Sequence, residues 1–395
     1  MNRRLRPLWD ALTSLKLTLV LFSALMVLIV ACTLAQVHLG TWGAVDVYIR
    51  SWFVWADLPG SDWQLAIFPG GILVGLVLAV NLVAAQLRRL ELSWRKSGIW
   101  IAHAGLILLV FGEFVTGLLQ VETQMAIREG DTVDFVESPR ELELAVIDVT
   151  DPEADDVYGI PARVLARRDA VAIPGTPVTL KVHRFYPNSD LLRREASHPP
   201  PPVPVQGVGA GVTAIPRAPE SRDDRVNHAV AYVEPVVGGA SKGTFLVSNG
   251  LGQVQQFEHD GRTYLLAMRA RRYHLPYSLT LKDFRHDVYP GTDIPKNFSS
   301  LVRLENPGRS ESRDVLIYMN QPLRYDGKAF YQASFGEGDT LSILQVVDNP
   351  GWLLPYVSCV LVMLGLVIHF GISLRRGVRR SRQVAAQPGV AQEAA

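Results

Sequence analysis

Four apolar runs, roughly Leu17 to Gln36, Leu65 to Leu87, Ile99 to Leu119 and Trp352 to Leu374, constrain this chain more than any other feature. Each approaches the ~20 residues that a helix needs to cross ~30 Å of hydrocarbon. They predict four transmembrane helices. The first run is long and is followed by no clear A-x-A-type site, so it reads as an uncleaved anchor. Basic residues orient the set. Arg3, Arg4, Arg6 and Lys16 precede the first run, Arg88, Arg89, Arg95 and Lys96 separate the second from the third, and Arg375, Arg376, Arg379, Arg380 and Arg382 follow the fourth. Such clusters stay in the cytoplasm. The Val37 to Gln64 loop has Arg50 as its only basic residue against Asp46, Asp57 and Asp62, and is expected outside. Both chain ends then lie inside, with residues 375–395 as a cytoplasmic tail.

This topology places residues 120–350 outside as one block, long enough to bury a core of its own. With 48% hydrophobic residues and a mean hydropathy of +0.14, the chain reads as part membrane and part soluble. The block alternates with period two in ELELAVIDV from Glu141, PVTLKVHRF from Pro177, NHAVAYVEPV from Asn227, TYLLAMRARRY from Thr263, SLTLKDF from Ser278, DVLIYM from Asp314 and LSILQVV from Leu341. Turn signals such as Asp260-Gly261 and Asp326-Gly327 separate the strands and predict an antiparallel, β-rich sandwich or barrel-like sheet. The Pro- and Gly-rich stretch of about 198–221 reads as a mobile excursion with no packed structure of its own.

Charge and cysteine content exclude several functions. A net charge of +1 gives no footprint for nucleic acid. Cys32 and Cys359 each sit in an apolar run, and the chain has no CxxC or CxxCH, so it is neither a thioredoxin-like reductant nor a carrier of covalently attached haem. The outer block offers no nucleophile and base pairing, no phosphate loop and no metal-ligand spacing.

The chemistry-bearing residues lie in the apolar runs instead. His103 falls seven residues after Lys96, ~10 Å into the third run, and His369 precedes Arg375 by six, ~9 Å from the same border. An ionisable group at such depth is a functional candidate. Imidazole is a usual axial ligand of haem iron, so His103 is either a hydrogen-bonding group within the bundle or a haem ligand. His369 is either an interfacial residue or a second ligand. Glu113 is the one acidic residue inside a run. Asn81 reads as an interhelical hydrogen-bonding group, and His38 as a solvated loop histidine. Tryptophans at the borders, Trp9, Trp52, Trp55, Trp63, Trp94, Trp100 and Trp352, read as interfacial anchors.

TSLKLTLVLF at the first run, the stretch around His103 followed by LLQVETQMAIREGDT, VYPGTDIPKNFSS, MNQPLRYDGKAFYQASF and the closing VVDNPGWLLPYVSCVLVMLGLVIHF together resemble the ResB (CcsB) family of System II cytochrome c biogenesis. Three spans, a large outer domain and one further span also match that family's layout. The resemblance implies a haem-handling subunit of the bacterial inner membrane, with its large domain on the periplasmic side. It implies a CcsA (ResC) partner bearing a WWD segment, apocytochrome c and haem b as what the assembly handles, and thiol-reducing thioredoxin-like proteins as further company. The subunit would at most be a non-catalytic part of a haem-attaching complex. His103 takes the place of the family's transmembrane axial ligand, whereas His369 has no such counterpart. Two other readings compete: a b-type electron-transfer protein, and a membrane anchor or receptor with a β-rich binding domain.

Overall fold

A computed structural model describes residues 6–385 apart from 59, 62, 89–92, 223, 224, 293, 294 and 337. The chain divides into two compact units. One comprises the N-terminal 120 residues, a short stretch beginning at Ser221 and everything from Asn349; the other is formed by the remaining segments between Val121 and Asp348.

The first unit holds four helices long and apolar enough to cross a membrane. The first span, Leu15–Ala44, starts where the Ser14 hydroxyl accepts the Lys16 N–H. It outruns the expected Gln36 and is interrupted only at Gly40, whose φ of 70° is open to glycine at little cost. His38 therefore lies within this helix, exposed, and not in a loop. A π-helical turn, Val45–Ile49, leads to an antiparallel hairpin of Phe53–Asp57 and Gln64–Pro69. That hairpin corrects the second expected run: Leu65 to Phe68 are strand, and the second span begins only at Gly71 and ends at Arg88. Pro69 breaks the run. Gly71 follows because a Cβ there would meet the backbone of Ile49. The third span is Ser97–Leu119, and the fourth is Leu354–Ala385, which continues as helix through the arginine cluster beyond Leu374.

The third and fourth spans pack backbone to backbone. Gly98, Gly105 and Gly112 recur every seven residues on one face, the repeat that keeps a face against a partner helix in a left-handed supercoil. A Cβ at Gly98 would fall 2.5 Å from Gly365 O, one at Gly105 2.9 Å from Ser358 O, and one at Gly365 2.6 Å from Gly98 O. Side chains at these positions would force the helices apart.

In the second unit, a ten-stranded antiparallel sheet runs Glu311–Tyr318, Pro295–Asn306, Arg262–Val288, Thr132–Asp148, Val121–Arg128, Leu341–Asp348, Lys328–Gly336 and Leu323–Tyr325, with Gln255–His259 and Asp156–Pro161 added beside the two longest strands. The sheet curls over itself in a nearly barrel-like way. The Ser300 hydroxyl donates to Gln332 Oε1 at 2.6 Å and lies 2.8 Å from Ser342 Oγ, although their strands are far apart in sheet order. Leu279, Leu281, Val302, Leu304, Phe330 and Leu344 fill the enclosed core. A second core forms against the smaller sheet, built on Val178–Tyr186 and Val230–Val237, and includes Leu144, Val146, Leu180, Val233, Tyr264 and Leu266.

Arg262–Val288 and Thr132–Asp148 serve both cores, and they bend between them. Arg262–Val288 merges the two expected strands from Thr263 and Ser278. Pairing slips between His274 and Leu279, where Pro276 could donate no ladder bond. At the bend Arg269 meets Glu143 at 3.1 Å and Arg271 meets Glu141 at 2.7 Å. The Arg271 hydrogen bond holds the Glu141 carboxyl below its ordinary value. The Asp-Gly turns are as expected: Asp260, Gly261, Asp326 and Gly327 all have positive φ, the geometry of a type I′ hairpin.

The Pro- and Gly-rich stretch departs from expectation. Val212–Pro216 pairs with Ser189–Arg193, and Val203, Val205 and Ala214 pack against Tyr232 and Leu246. Its alternating Val and Ala bury enough apolar surface to hold an ordered path, which composition alone had hidden. The architecture expected from the sequence, four apolar helices with a large antiparallel β-rich domain between the third and fourth, is borne out.

Gly98→Ala and Gly365→Ala should lower the thermal midpoint of the detergent-solubilised chain, even though alanine favours an isolated helix by ~1 kcal/mol. Gly117→Ala, where a Cβ meets nothing within 4 Å, should be neutral or stabilising. Leu279→Ala, in a fully buried position, should cost ~2–5 kcal/mol, read as earlier loss of the β circular-dichroism signal on heating.

Candidate functional site

The third span presents one side to the fourth span and another away from it. At 100° per residue, His103 lies about 140° around the helix from Gly98 and about 160° from Gly105, so its ring leaves the helix on the far side from the glycine contact. Its Nδ1 lies 2.8 Å from Ile99 O, one turn back on the same helix. A carbonyl oxygen can only accept, so Nδ1 carries the hydrogen, and Nε2 keeps its lone pair. Iron-ligating histidines have this arrangement: the second nitrogen is tied to a carbonyl, which fixes tautomer and ring orientation. The residues present therefore fit an axial ligand at His103.

Helix packing does not set His369 opposite His103. A Cβ on Gly98 would meet the backbone N and Cα of His369, so His369 is level with Gly98, the second residue of the third span. His103 lies five residues further along, ~7 Å deeper. Near-equal distance from the basic clusters had suggested matching depth; the glycine contacts stagger the two rings instead. The His369 ring sits edge-on to Phe370, with centroids 5.6 Å apart.

Glu113 is exposed, about 80° around the helix from His103 and about 80° from Gly105, on the flank between His103 and the glycine seam. Ile99, Leu106 and Glu113, together with His103 and Val110, form a second seam of alternating four- and three-residue spacing, which the fourth span does not use.

At the other end of the second span, Asn81 is only 1% exposed. Its Nδ2 donates to Leu12 O at 2.6 Å and to Ser14 O at 3.3 Å, and its Oδ1 accepts from the Thr18 hydroxyl at 2.7 Å. Asn81 thus clamps the first span to the second, as its placement in an apolar run predicted. Arg88 pairs with Asp10 at 2.8 Å and also bonds the Thr13 hydroxyl. This clamp on a short N-terminal helix, Arg6–Leu12, was invisible in the sequence, because nothing in the spacing links residue 10 to residue 88. Of the basic cluster around it, Arg89 lies outside the described residues.

Among the described residues of either unit, no group of three or more His, Cys, Asp and Glu could hold a metal ion. In the β unit His286 stacks on Phe298 and Phe335, with centroid distances of 4.8 and 4.4 Å, and its Nδ1 lies 3.1 Å from Asp339. His183 meets Glu234 at 2.8 Å. Both are cross-braces within the β unit.

Residues 236–343, within the β unit, match the ResB-like family. The resemblance to ResB is borne out. Over 294 residues, 74% of its length, the chain is 25% identical to Protein NrfI of Wolinella succinogenes. Over 80 residues, 20% of its length, it is 35% identical to the cytochrome c biogenesis protein CcsB of a Picosynechococcus species. The matched stretches are 29% of NrfI and 17% of CcsB, so the chain spans under a third of either relative.

Asn81→Leu keeps the branched shape but removes the donor to the Leu12 carbonyl and the nearer acceptor of the Thr18 hydroxyl in an apolar setting. The expected loss is ~1–3 kcal/mol, measured as a lower unfolding midpoint in detergent. Asn81→Asp should recover part of it through Thr18.

Proposed function

We propose that this chain is the haem-receiving subunit of a cytochrome c assembly complex, in which haem is the cargo. It takes haem on the cytoplasmic half of the membrane and passes it across with a CcsA/ResC-type membrane partner for thioether attachment to apocytochrome c. The carrying observation is the hydrogen bond from His103 Nδ1 to Ile99 O, because it presents Nε2 as a ligand on a helix face that the chain's own fourth span leaves uncovered. The names of the matched relatives support the setting in cytochrome c biogenesis.

Each residue has a defined task in this reading. The Ile99 carbonyl holds the imidazole in the Nδ1–H tautomer, and His103 Nε2 donates its lone pair to the iron. The stagger of His369 favours a second axial ligand from the partner over a pair built within this chain. Arg95 and Lys96, at the entry of the third span, draw the two haem propionates toward this side. Glu113 on the same uncovered face needs a hydrogen-bonding group in hydrocarbon, which a partner helix would supply. The β unit lies on the outer side as a docking module for the partner or the apocytochrome.

The test is the haem content and absorption spectrum of the partner-bound complex at equal expression. His103→Ala should lose most of its haem and regain it with added imidazole, while His103→Cys should keep haem with a shifted spectrum as thiolate replaces imidazole. His369→Ala should leave both within twofold of the parent. Undiminished haem with an unchanged spectrum in His103→Ala would falsify the ligand assignment. Reporter fusions after Arg95 and near Gly250 test the sidedness, and must report opposite sides.

A further inference from the structure

Between the first and second spans the chain builds a hairpin whose side chains and backbone demand different solvents. Val54 and Phe68 pair across it and face the helices, packing with Tyr48, Ile49, Val74 and Val77. The rest of its apolar surface is uncovered: Trp55 is 54% exposed, Leu65 and Ile67 57% each, and Trp63 77%, with Trp52 and Phe53 beside them. Water is a poor environment for so dense a patch. Hydrocarbon is equally excluded, because a two-stranded hairpin has two open edges whose N–H and C=O groups would go unsatisfied there. The polar tip, where Gln64 Nε2 donates to Asp57 Oδ1 at 2.9 Å, is also unsuited to hydrocarbon.

The hairpin's connections fix its depth. Its base is sewn to the second span: Gly70 N–H donates to Trp52 O at 2.8 Å and Ile72 N–H to Ser51 O at 3.2 Å. That span is the shortest of the four at 18 residues, ~27 Å of helix, slightly less than the ~30 Å of hydrocarbon it must cross. Leu65 to Phe68 therefore begin where the hydrocarbon edge is expected, and the exposed strand surface is continuous with the lipid-facing surface of the helix it feeds.

We infer that this hairpin lies along the membrane–water boundary, on the side where the second span begins, as an interfacial anchor for the first two spans. Headgroups and their water satisfy the strand edges and the Asp57–Gln64 tip, while Trp55 and Ile67 on one face of the hairpin and Trp63 and Leu65 on the other occupy the layer between headgroups and acyl chains. Tryptophan is the residue type that favours this layer. The occupant of the apolar surface is lipid, and the inference rests on the four spans alone, independent of any role in haem handling.

Two measurements on the full-length chain in phosphatidylcholine–phosphatidylglycerol vesicles test it. Single nitroxide labels at positions 53, 55, 63 and 67, in a Cys32→Ala, Cys359→Ser background, report collision rates with oxygen and with a water-soluble nickel chelate. A label at Leu364 gives the hydrocarbon reference, and one at Arg313 the water reference. An interfacial hairpin gives intermediate accessibility at all four sites, with base position 53 and tip-side position 63 at equal depth to within a few ångströms. Nickel accessibility equal to the Arg313 reference at 55, 63 and 67 would overturn the inference, as the hairpin would stand in water. So would immobile labels shielded from both reagents, with dipolar broadening relieved by diluting in unlabelled chain, since the surface would then be a contact between copies. Trp55→Phe with Trp63→Phe, which adds no label, gives the second reading. The tryptophan emission per chain that is quenched by lipids brominated near the headgroup should fall by about a quarter, as two of the eight tryptophans are removed; an unchanged quenched amount would also overturn the inference.

Discussion

The close approach of the third and fourth spans is the constraint on which the rest depends. More than two hundred residues separate Leu119 from Leu354, yet Gly98, Gly105 and Gly365 let the two backbones meet with no side chain between them. In lipid no hydrophobic effect drives helices together, so packing of small residues must supply much of the association. Thr116 and Asn349 reinforce the pair at its far end through a 3.3 Å hydrogen bond. The first and last strands of the β unit are neighbours, with Val121 opposite Asp348, so the inserted chain leaves and returns at one place.

That pairing also decides what the third span can offer. Since the glycine seam occupies one side, His103 and Glu113 are left on a surface the chain does not cover with its fourth span. Two polar groups thus stand on an apolar helix away from its contact with the fourth span. The second pair of spans is organised differently. Buried hydrogen bonds from Asn81 and the Arg88–Asp10 ion pair tie it together, so that half of the bundle is held by directional bonds and the other half by shape.

Much of the fold was legible because the two periodicities are local. Twenty-residue apolar runs mark spans, and alternation marks strands, whether or not the partners are known. The failures have physical causes. The second run looked continuous from Leu65, but apolarity cannot distinguish strand from helix over a few residues, and Pro69 with Gly70 and Gly71 ended one and began the other. The strands from Thr263 and Ser278 looked separate because proline usually breaks a ladder, while a slip in pairing accommodated Pro276. The stretch of about 198–221 looked mobile because proline and glycine mark its composition, yet its few Val and Ala side chains found a core.

By itself, the sequence determined the number of spans and the β character of the inserted unit, which follow from residue type and near-neighbour spacing, and its quoted stretches carried the likeness to ResB. Only the tertiary structure decided which face of the third span His103 occupies, that His369 stands about a turn and a half out of step with it, that Asn81 and Arg88 clamp the N-terminal helix, and that an apolar hairpin joins the first two spans. These depend on which backbones approach closely enough to touch, and that is set by glycines and buried polar groups far apart in the chain.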